Sequence, residues 1–232
     1  MEEVLRVQSR KKLNSIRRFI GKRMTESLNT MPQASPVFEL NTQKFFELKD
    51  KLKQQDSSVT VTGMFIRLCA VILHKYPILN SAVVDGELII YDSCNIGVGV
   101  GVDRGIMTVV IKEAQDKDVI TISKELKEKV ELVKAGTLPL ADMKDSTFTI
   151  SSVGGYGIMF STVVLNPPEN AMLGIGTTVK KPVVQDDDSL LVQKLTTFVL
   201  THNHTVLDGV HVSYFISEMK KCLEDPESYM GL

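Results

Sequence analysis

Thr201-His202-Asn203-His204-Thr205-Val206-Leu207-Asp208-Gly209 joins two segments of different periodicity. Before it, Leu191 to Asn203 alternates as an extended strand, which puts Phe198, Leu200, His202 and His204 on one face. After it, a helix is predicted from about Gly209 to Leu223, with Asp208 where a cap would accept free backbone N–H groups. A strand that hands its polar end to a helix start is a unit of an α/β fold. Two of the four histidines crowd into it. His202 and His204, with Asp208 and His211 close behind, have the ligand types of a metal site. No second ligand cluster occurs elsewhere in the sequence, so no metal is expected.

The segments leading to this junction alternate between helix and strand. Asn14 to Ser27 carries Ile16, Phe19, Ile20, Met24 and Ser27 at helical spacing, with Arg and Lys between them, and ends before Met31-Pro32. Pro36 to Asn41 reads as extended, Gln43 to Gln54 as a Lys-rich amphipathic helix, and Thr62 to Lys75 as a buried helix stopped by Tyr76-Pro77. Strands follow at Val83-Val84, Leu88 to Tyr91, Ile96 to Val102 and Ile106 to Ile111, with turns at Asp85-Gly86 and Asp103-Arg104-Gly105. Gly97, Gly99 and Gly101 leave one face of the third of these strands bare, which predicts either a tightly covering helix or the wall of a narrow channel.

Ser123 to Ala135 reads as a helix with Leu126, Val130 and Val133 inward, a Glu125–Lys129 pair outward and Gly136 as its stop. Phe148 to Ser151 is a short strand, and the loop from Val153 to Glu169 after it is too long for a simple connection. The last strands are expected near Ala171 to Val179 and Leu191 to Asn203. With no repeat and no linker, residues 1–232 read as a single α/β domain.

Composition limits what such a domain does. The 232 residues include 27 Lys+Arg and 28 Asp+Glu, a net charge of −1, which argues against a dedicated nucleic-acid binder. With 43% of residues hydrophobic and 24% charged, a sizeable core is expected, and the longest apolar stretches fall far short of a membrane span. Cys69, Cys94 and Cys222 are sparse and far apart, so a reducing compartment is expected, the cytoplasm or, in a eukaryote, the mitochondrial matrix. Arg6 to Arg23 holds eight basic residues and no acidic one. That run is either a solvated helix face or an electrostatic lure for an anionic substrate.

His204-Thr205-Val206-Leu207-Asp208-Gly209 has the His-x-x-x-Asp-Gly pattern of coenzyme A-dependent acyltransferases, and other segments occur in matching order. These are Ser15 to Met24, Lys75-Tyr76-Pro77-Ile78-Leu79-Asn80, Phe148-Thr149-Ile150-Ser151, and Asn166-Pro167-Pro168-Glu169 followed by Leu173-Gly174-Ile175-Gly176. Over nearly its whole length the chain resembles the catalytic domain of the dihydrolipoamide acyltransferases of 2-oxo acid dehydrogenase complexes, within the chloramphenicol acetyltransferase-like superfamily. The resemblance implies a two-layer sandwich, a mixed β-sheet with helices packed on it. It also implies coenzyme A and dihydrolipoamide as substrates, without a metal.

The residue types suit that chemistry. Thiol attack on a thioester needs a base, and an unperturbed imidazole, with a pKa of roughly 6.5, is largely neutral at pH 7. His204 is the candidate base, and Ser151 the candidate donor to the oxyanion, since a hydroxyl without its own base is a poor nucleophile. Asp208 reads as a helix cap as readily as a triad member. The resemblance pairs it with an arginine of the opening helix, here Arg17, and makes Asn203 and Gly209 site-shaping. It further implies a homotrimer in which the histidine of one subunit faces the serine of the next, possibly a larger cage of trimers docked through Tyr229-Met230-Gly231-Leu232, and a lipoyl domain acting in cis or in trans.

The chain departs from the pattern in two places. Asn203-His204-Thr205 stands where Asp-His-Arg is usual, and a proline expected after Gly105 is replaced near Val109. No lipoyl or small partner-binding domain precedes the core, which suits a catalytic fragment or a free-standing relative. A non-catalytic oligomeric scaffold for partner enzymes, and an acyltransferase with a small-molecule acceptor, are the alternative readings.

Overall fold

The computed structural model describes residues 6–102 and 105–232, so the turn expected at Asp103-Arg104 lies outside the described residues. Its centre is the apolar helix expected from Thr62. The element opens at Val61, because the Thr60 hydroxyl accepts from the Gly63 amide at 3.0 Å, and runs to Lys75, where Tyr76-Pro77 stops it. Phe65, Ile66, Leu68 and Ile72 on this helix are fully buried.

In chain order the helices are α1 (Ser15–Thr30), α2 (Gln43–Gln55), α3 (Val61–Lys75), α4 (Val119–Ala135) and α5 (Gly209–Glu224). The strands are β1 (Gln33–Ala34), β2 (Val37–Asn41), β3 (Ser81–Val84), β4 (Glu87–Ile90), β5 (Ile96–Val102), β6 (Gly105–Ile111), β7 (Phe148–Ser152), β8 (Ala171–Val184) and β9 (Leu190–Asn203). Among the described residues seven strands form one sheet in the order β6-β5-β7-β8-β9, with β1 and β2 both on the outer edge of β9. The two pairings of β7 are parallel and the others antiparallel, so the sheet is mixed, and β3–β4 is a separate hairpin.

Alternation sorts the sheet's two faces. Phe148 and Ile150 of β7, Leu173 of β8 and Phe198 and Leu200 of β9 are buried against the helices. Phe148 stacks on Phe215 of α5, and Phe198 meets Phe65 of α3 edge-on. The opposite face carries Thr149, Ser151 and the three glycines of β5. A side-chain carbon on Gly97 would lie 2.8 Å from the Thr149 hydroxyl, so this glycine is needed for close packing. Gly99 and Gly101 are exposed, so none of the described helices covers them.

Several expectations need correction. The helix expected from Ser123 begins at Val119, because Asp118 caps it by accepting from the Thr121 amide at 2.6 Å. Its Glu125–Lys129 pair is not outward. Lys129 is drawn in between Glu125 (2.8 Å), Asp142 (2.9 Å) and the Val110 carbonyl (2.8 Å). β8 and β9 run on past the sheet as a two-stranded arm to Val184 and Leu190. The Tyr229–Leu232 tail is anchored on its own chain and leaves Leu232 63% exposed. Met230 is fully buried, its carbonyl accepts from the Val119 amide, and Arg67 donates to the Tyr229 carbonyl at 3.2 Å. Finally, α1 stays out of the helix layer. It lies on the loop side, where the buried Ser27 hydroxyl donates to the Leu165 carbonyl at 2.7 Å and Phe19 is left 62% exposed.

Candidate active site

The end of β9 is fixed from three sides before the chain turns at His204. Asn203 donates its backbone N–H to the Asn170 carbonyl (2.8 Å) and its side-chain N–H to the Asn170 amide oxygen (2.9 Å). Asn170 in turn donates to the Ser81 hydroxyl at 3.0 Å. On the far side the Asn203 side-chain oxygen accepts from the Thr205 amide at 3.1 Å, and its carbonyl accepts from Val206 and Leu207. The His204 amide donates to the Pro32 carbonyl at 2.7 Å, and fully buried Leu207 pins the turn from below. His204 is thus exposed on a backbone whose polar groups are engaged.

Asp208 is the N-terminal cap of α5. One carboxylate oxygen accepts from the Val210 and His211 amides at 2.9 and 3.3 Å, and the His211 ring takes the Asp208 amide in return. The backbone bond from His211 is the main cause holding its pKa below the usual carboxylate range, against a small cost of burial. No bond links Asp208 to His204 among the described residues, so the cap describes it and a triad does not. Gly209 opens α5 with free space where a side chain would project.

The ion pair expected between Arg17 and Asp208 is not formed within the chain. The Met31-Pro32 end of α1 adjoins the His204 turn, and Arg17 sits thirteen residues back from Thr30, roughly 20 Å along the helix axis. α1 also runs toward the β5–β6 edge, where a side-chain carbon on Gly105 would lie 3.8 Å from Ile20, away from β9. The basic residue of α1 that packs inward is Arg23, which donates to the Asn166 side chain at 3.2 Å and to the Pro167 carbonyl.

Ser151 is half-buried on β7 opposite Gly174, and its hydroxyl makes no hydrogen bond among the described residues. Gly174 lies opposite Val199, three residues before His202, and β7 and β9 are two strands apart. Standard strand spacings then separate Ser151 from His204 by roughly 15–20 Å. One chain does not bring them together. Ser151 belongs to the face turned away from α3 and α5, beside the exposed Gly99 and Gly101 and the loop bearing Tyr156, which is 80% exposed.

Near Ser151 lies a polar cluster that sequence reasoning missed. Glu169, 1% exposed, accepts on one oxygen from the Thr149 hydroxyl (3.0 Å), the Asn166 amide (2.8 Å) and the Ser146 hydroxyl, while its other oxygen is buried without a partner. Burial raises its pKa, and the three donors and Arg23 only partly oppose that. Asn170 and Ser81 were missed as well. Their signal was present, since each directly follows a quoted segment, but their partners are remote in sequence. Among the described residues no group of three or more His, Cys, Asp or Glu is arranged to hold a metal, and no helix is long and apolar enough to cross a membrane.

Comparison with known proteins gives the family and the fold. Residues 6–231 match the family model for 2-oxoacid dehydrogenases acyltransferase (catalytic domain). The chain is 30% identical, over 95% of its length, to the dihydrolipoyllysine-residue acetyltransferase component of the pyruvate dehydrogenase complex of Staphylococcus aureus, covering 52% of that protein. It spans about half the length of the curated relatives it matches. Among solved structures, a truncated catalytic core of the 2-oxoacid dehydrogenase multienzyme complex from Thermoplasma acidophilum is similar at 31% identity and a TM-score of 0.87, covering 94% of this chain and 99% of that one. A chloramphenicol acetyltransferase shares the fold alone, at 13% identity and a TM-score of 0.54, covering 92% of this chain and 100% of that one. With the match running from Arg6 to Gly231 over a mixed sheet that presents His204 just past the end of β9, the chain belongs to the family of 2-oxoacid dehydrogenase acyltransferase catalytic domains.

Proposed function

We propose that the protein moves an acyl group between a dihydrolipoyl thiol and coenzyme A, with His204 of one copy as general base and Ser151 of a neighbouring copy as donor to the oxyanion. The observation that carries this reading is the separation of the two groups. His204 is exposed on a rigid turn, the Ser151 hydroxyl is unengaged, and roughly 15–20 Å of sheet lies between them. Two copies arranged head to tail bring one against the other, and a closed ring such as a homotrimer repeats that contact without a free end.

His204 removes the thiol proton, and the sulfur attacks the thioester carbonyl. Charge then collects on oxygen, where a positioned hydroxyl is worth about 2.7–4 kcal/mol. Collapse of the adduct expels the other thiolate, which recovers the proton from His204. Asp208, as a cap, and Asn203, through Asn170, hold the histidine's turn. Arg17, Arg18 and Lys22 on the exposed side of α1 form a basic surface that suits the phosphates of coenzyme A. A lipoyl domain, in cis or in trans, would deliver the dihydrolipoyl group, and rings of this kind can assemble into a larger cage.

The test is mixing. His204→Ala should slow transfer from acetyl-coenzyme A to dihydrolipoamide by roughly 10²- to 10⁴-fold. Ser151→Ala should lower kcat by about 10²-fold with KM little changed. Oligomers reassembled from equal amounts of the two variants should regain about a quarter of wild-type activity, since one ordered contact in four joins an intact histidine to an intact serine. No recovery on mixing would place both groups in one chain and defeat the intersubunit site.

A further inference from the structure

His202 lies on β9, two residues before His204, and the mechanism above leaves it unused. It is 3% exposed, and its ring centroid is 5.5 Å from that of His204 with the planes inclined at 41°. Its Nδ1 points to the Leu200 carbonyl at 3.5 Å, which favours the tautomer carrying the proton on Nδ1. Nε2 is then a bare acceptor, and that atom is buried without a partner. A buried orphan acceptor carries a desolvation cost that calls for a role. Two imidazoles joined edge to edge by an N–H···N bond of about 3 Å have centroids roughly 5 Å apart, so the observed pair stands about half an ångström short of that contact.

We propose that His202 is a positioning residue whose neutral ring accepts, on Nε2, a hydrogen bond from the N–H of His204, directly or through one water, and so turns the opposite nitrogen of His204 toward the thiol. The inference rests on the assignment of His204 as the base. The aspartate of a Ser-His-Asp triad does the same for its histidine with a full charge. Here Asp208 is committed to capping α5, and the position is filled by a second imidazole.

Burial is the main force pushing His202 below the ordinary histidine range, so it stays uncharged where the thiol is transferred. The titratable groups facing it are His204 in the turn that follows β9 and Asp208 and His211 at the start of α5. Its sheet partners, Ala171 on β8 and Ala34 on β1, bring no charge. When His204 takes the thiol proton it carries N–H on both nitrogens, and an acceptor on one side stabilises that state. The electron pair released from S–H stays on sulfur for attack.

The experiment compares His202→Leu, similar in volume but without an acceptor, with His202→Gln, whose amide oxygen can replace Nε2. Two readouts are used on the assembled protein: steady-state kcat and KM from about pH 5.5 to 9, and an NMR titration of the histidine ring carbons. His202→Leu should lower kcat about tenfold, leave KM for coenzyme A unchanged, and move the acid limb of the rate profile down by about half a pH unit or more. The His204 ring resonance should follow in the same direction. His202→Gln should recover most of both. A lowered melting temperature with an unshifted pH profile and unshifted His204 titration, or equal loss in both variants, would reduce His202 to a core residue and overturn the proposal. Because the ring titration needs no turnover, it decides the point even if His204→Ala retains activity and the assignment of the base fails.

Discussion

Asn203 stands where the resembled acyltransferases usually carry aspartate, and its amide is used at both ends. The N–H side donates to Asn170 and the oxygen accepts from Thr205. Asn203→Asp would set two oxygens against each other, and Asn170 could relieve them only by turning its own N–H away from Ser81. The variant should lose roughly 1–3 kcal/mol of stability and some kcat, measured by thermal unfolding and steady-state rates. Glu169 is a second residue whose chemistry is set by its surroundings. Its folded pKa is raised above the value in the unfolded chain, so its contribution to stability is complete below about pH 4.5 and is lost as pH rises through the folded value. Glu169→Gln cannot ionise. Its melting temperature should match wild type near about pH 4 and exceed it increasingly toward about pH 8, and a constant offset across that range would contradict a raised pKa. The segments that hold His204, Asp208 and Ser151 stand out in the sequence because they are short and contiguous. The Asn203–Asn170–Ser81 chain does not, because hydrogen bonds spanning up to 89 residues leave no local pattern.

At the level of elements, local pattern located α3, β5 and α5 within a residue or two of their observed limits, because α3 is an apolar run stopped by Tyr76-Pro77, β5 alternates glycine with Ile and Val, and α5 has one apolar face. It did not tell which elements would share a face. α1 has the spacing of a core helix, yet it packs on the loop side through Ile20, Arg23, Met24 and Ser27 and leaves Ile16 and Phe19 bare. The 153–169 loop was recognised by its glycines and prolines, but how it docks was not legible. A side-chain carbon on Gly154 would lie 2.1 Å from the Gly176 carbonyl oxygen, and one on Gly176 would lie 1.7 Å from that of Met159. Backbone meets backbone there, with no flexible side chain to yield. Gly176→Ala should therefore lift the loop off β8, at a cost of about 1–3 kcal/mol. Limited proteolysis should cut near Tyr156–Phe160 faster than in wild type, and an unchanged cleavage pattern would show that β8 adjusts instead.

Across the whole molecule, apolar groups are left in solvent on the β3–β4 hairpin, on the β8–β9 arm and on the side that carries Ser151. Tyr156, Ile158, Met159 and Phe160 project from the loop beside β8, and Phe19 projects from α1. The bare Gly99 and Gly101 lie on the same face. Exposed apolar side chains gathered on one loop suit an association surface, and a head-to-tail contact made there would bring a neighbour's His204 toward Ser151. The strand order could not be read from the sequence, because β7 pairs in parallel with β5 and β8 across long connections, and the intersubunit distance depends on that order. Activity and self-association should consequently fail together. Phe160→Asp places a charge on the exposed loop without touching the core, so the monomer should keep its secondary structure and most of its melting temperature. At low protein concentration it should sediment as a smaller species and lose transfer activity, and both should return as concentration rises, with activity tracking the assembled fraction. Full activity in a species that sediments as a monomer would mean that a single chain closes the gap between Ser151 and His204, against the strand spacing that separates them.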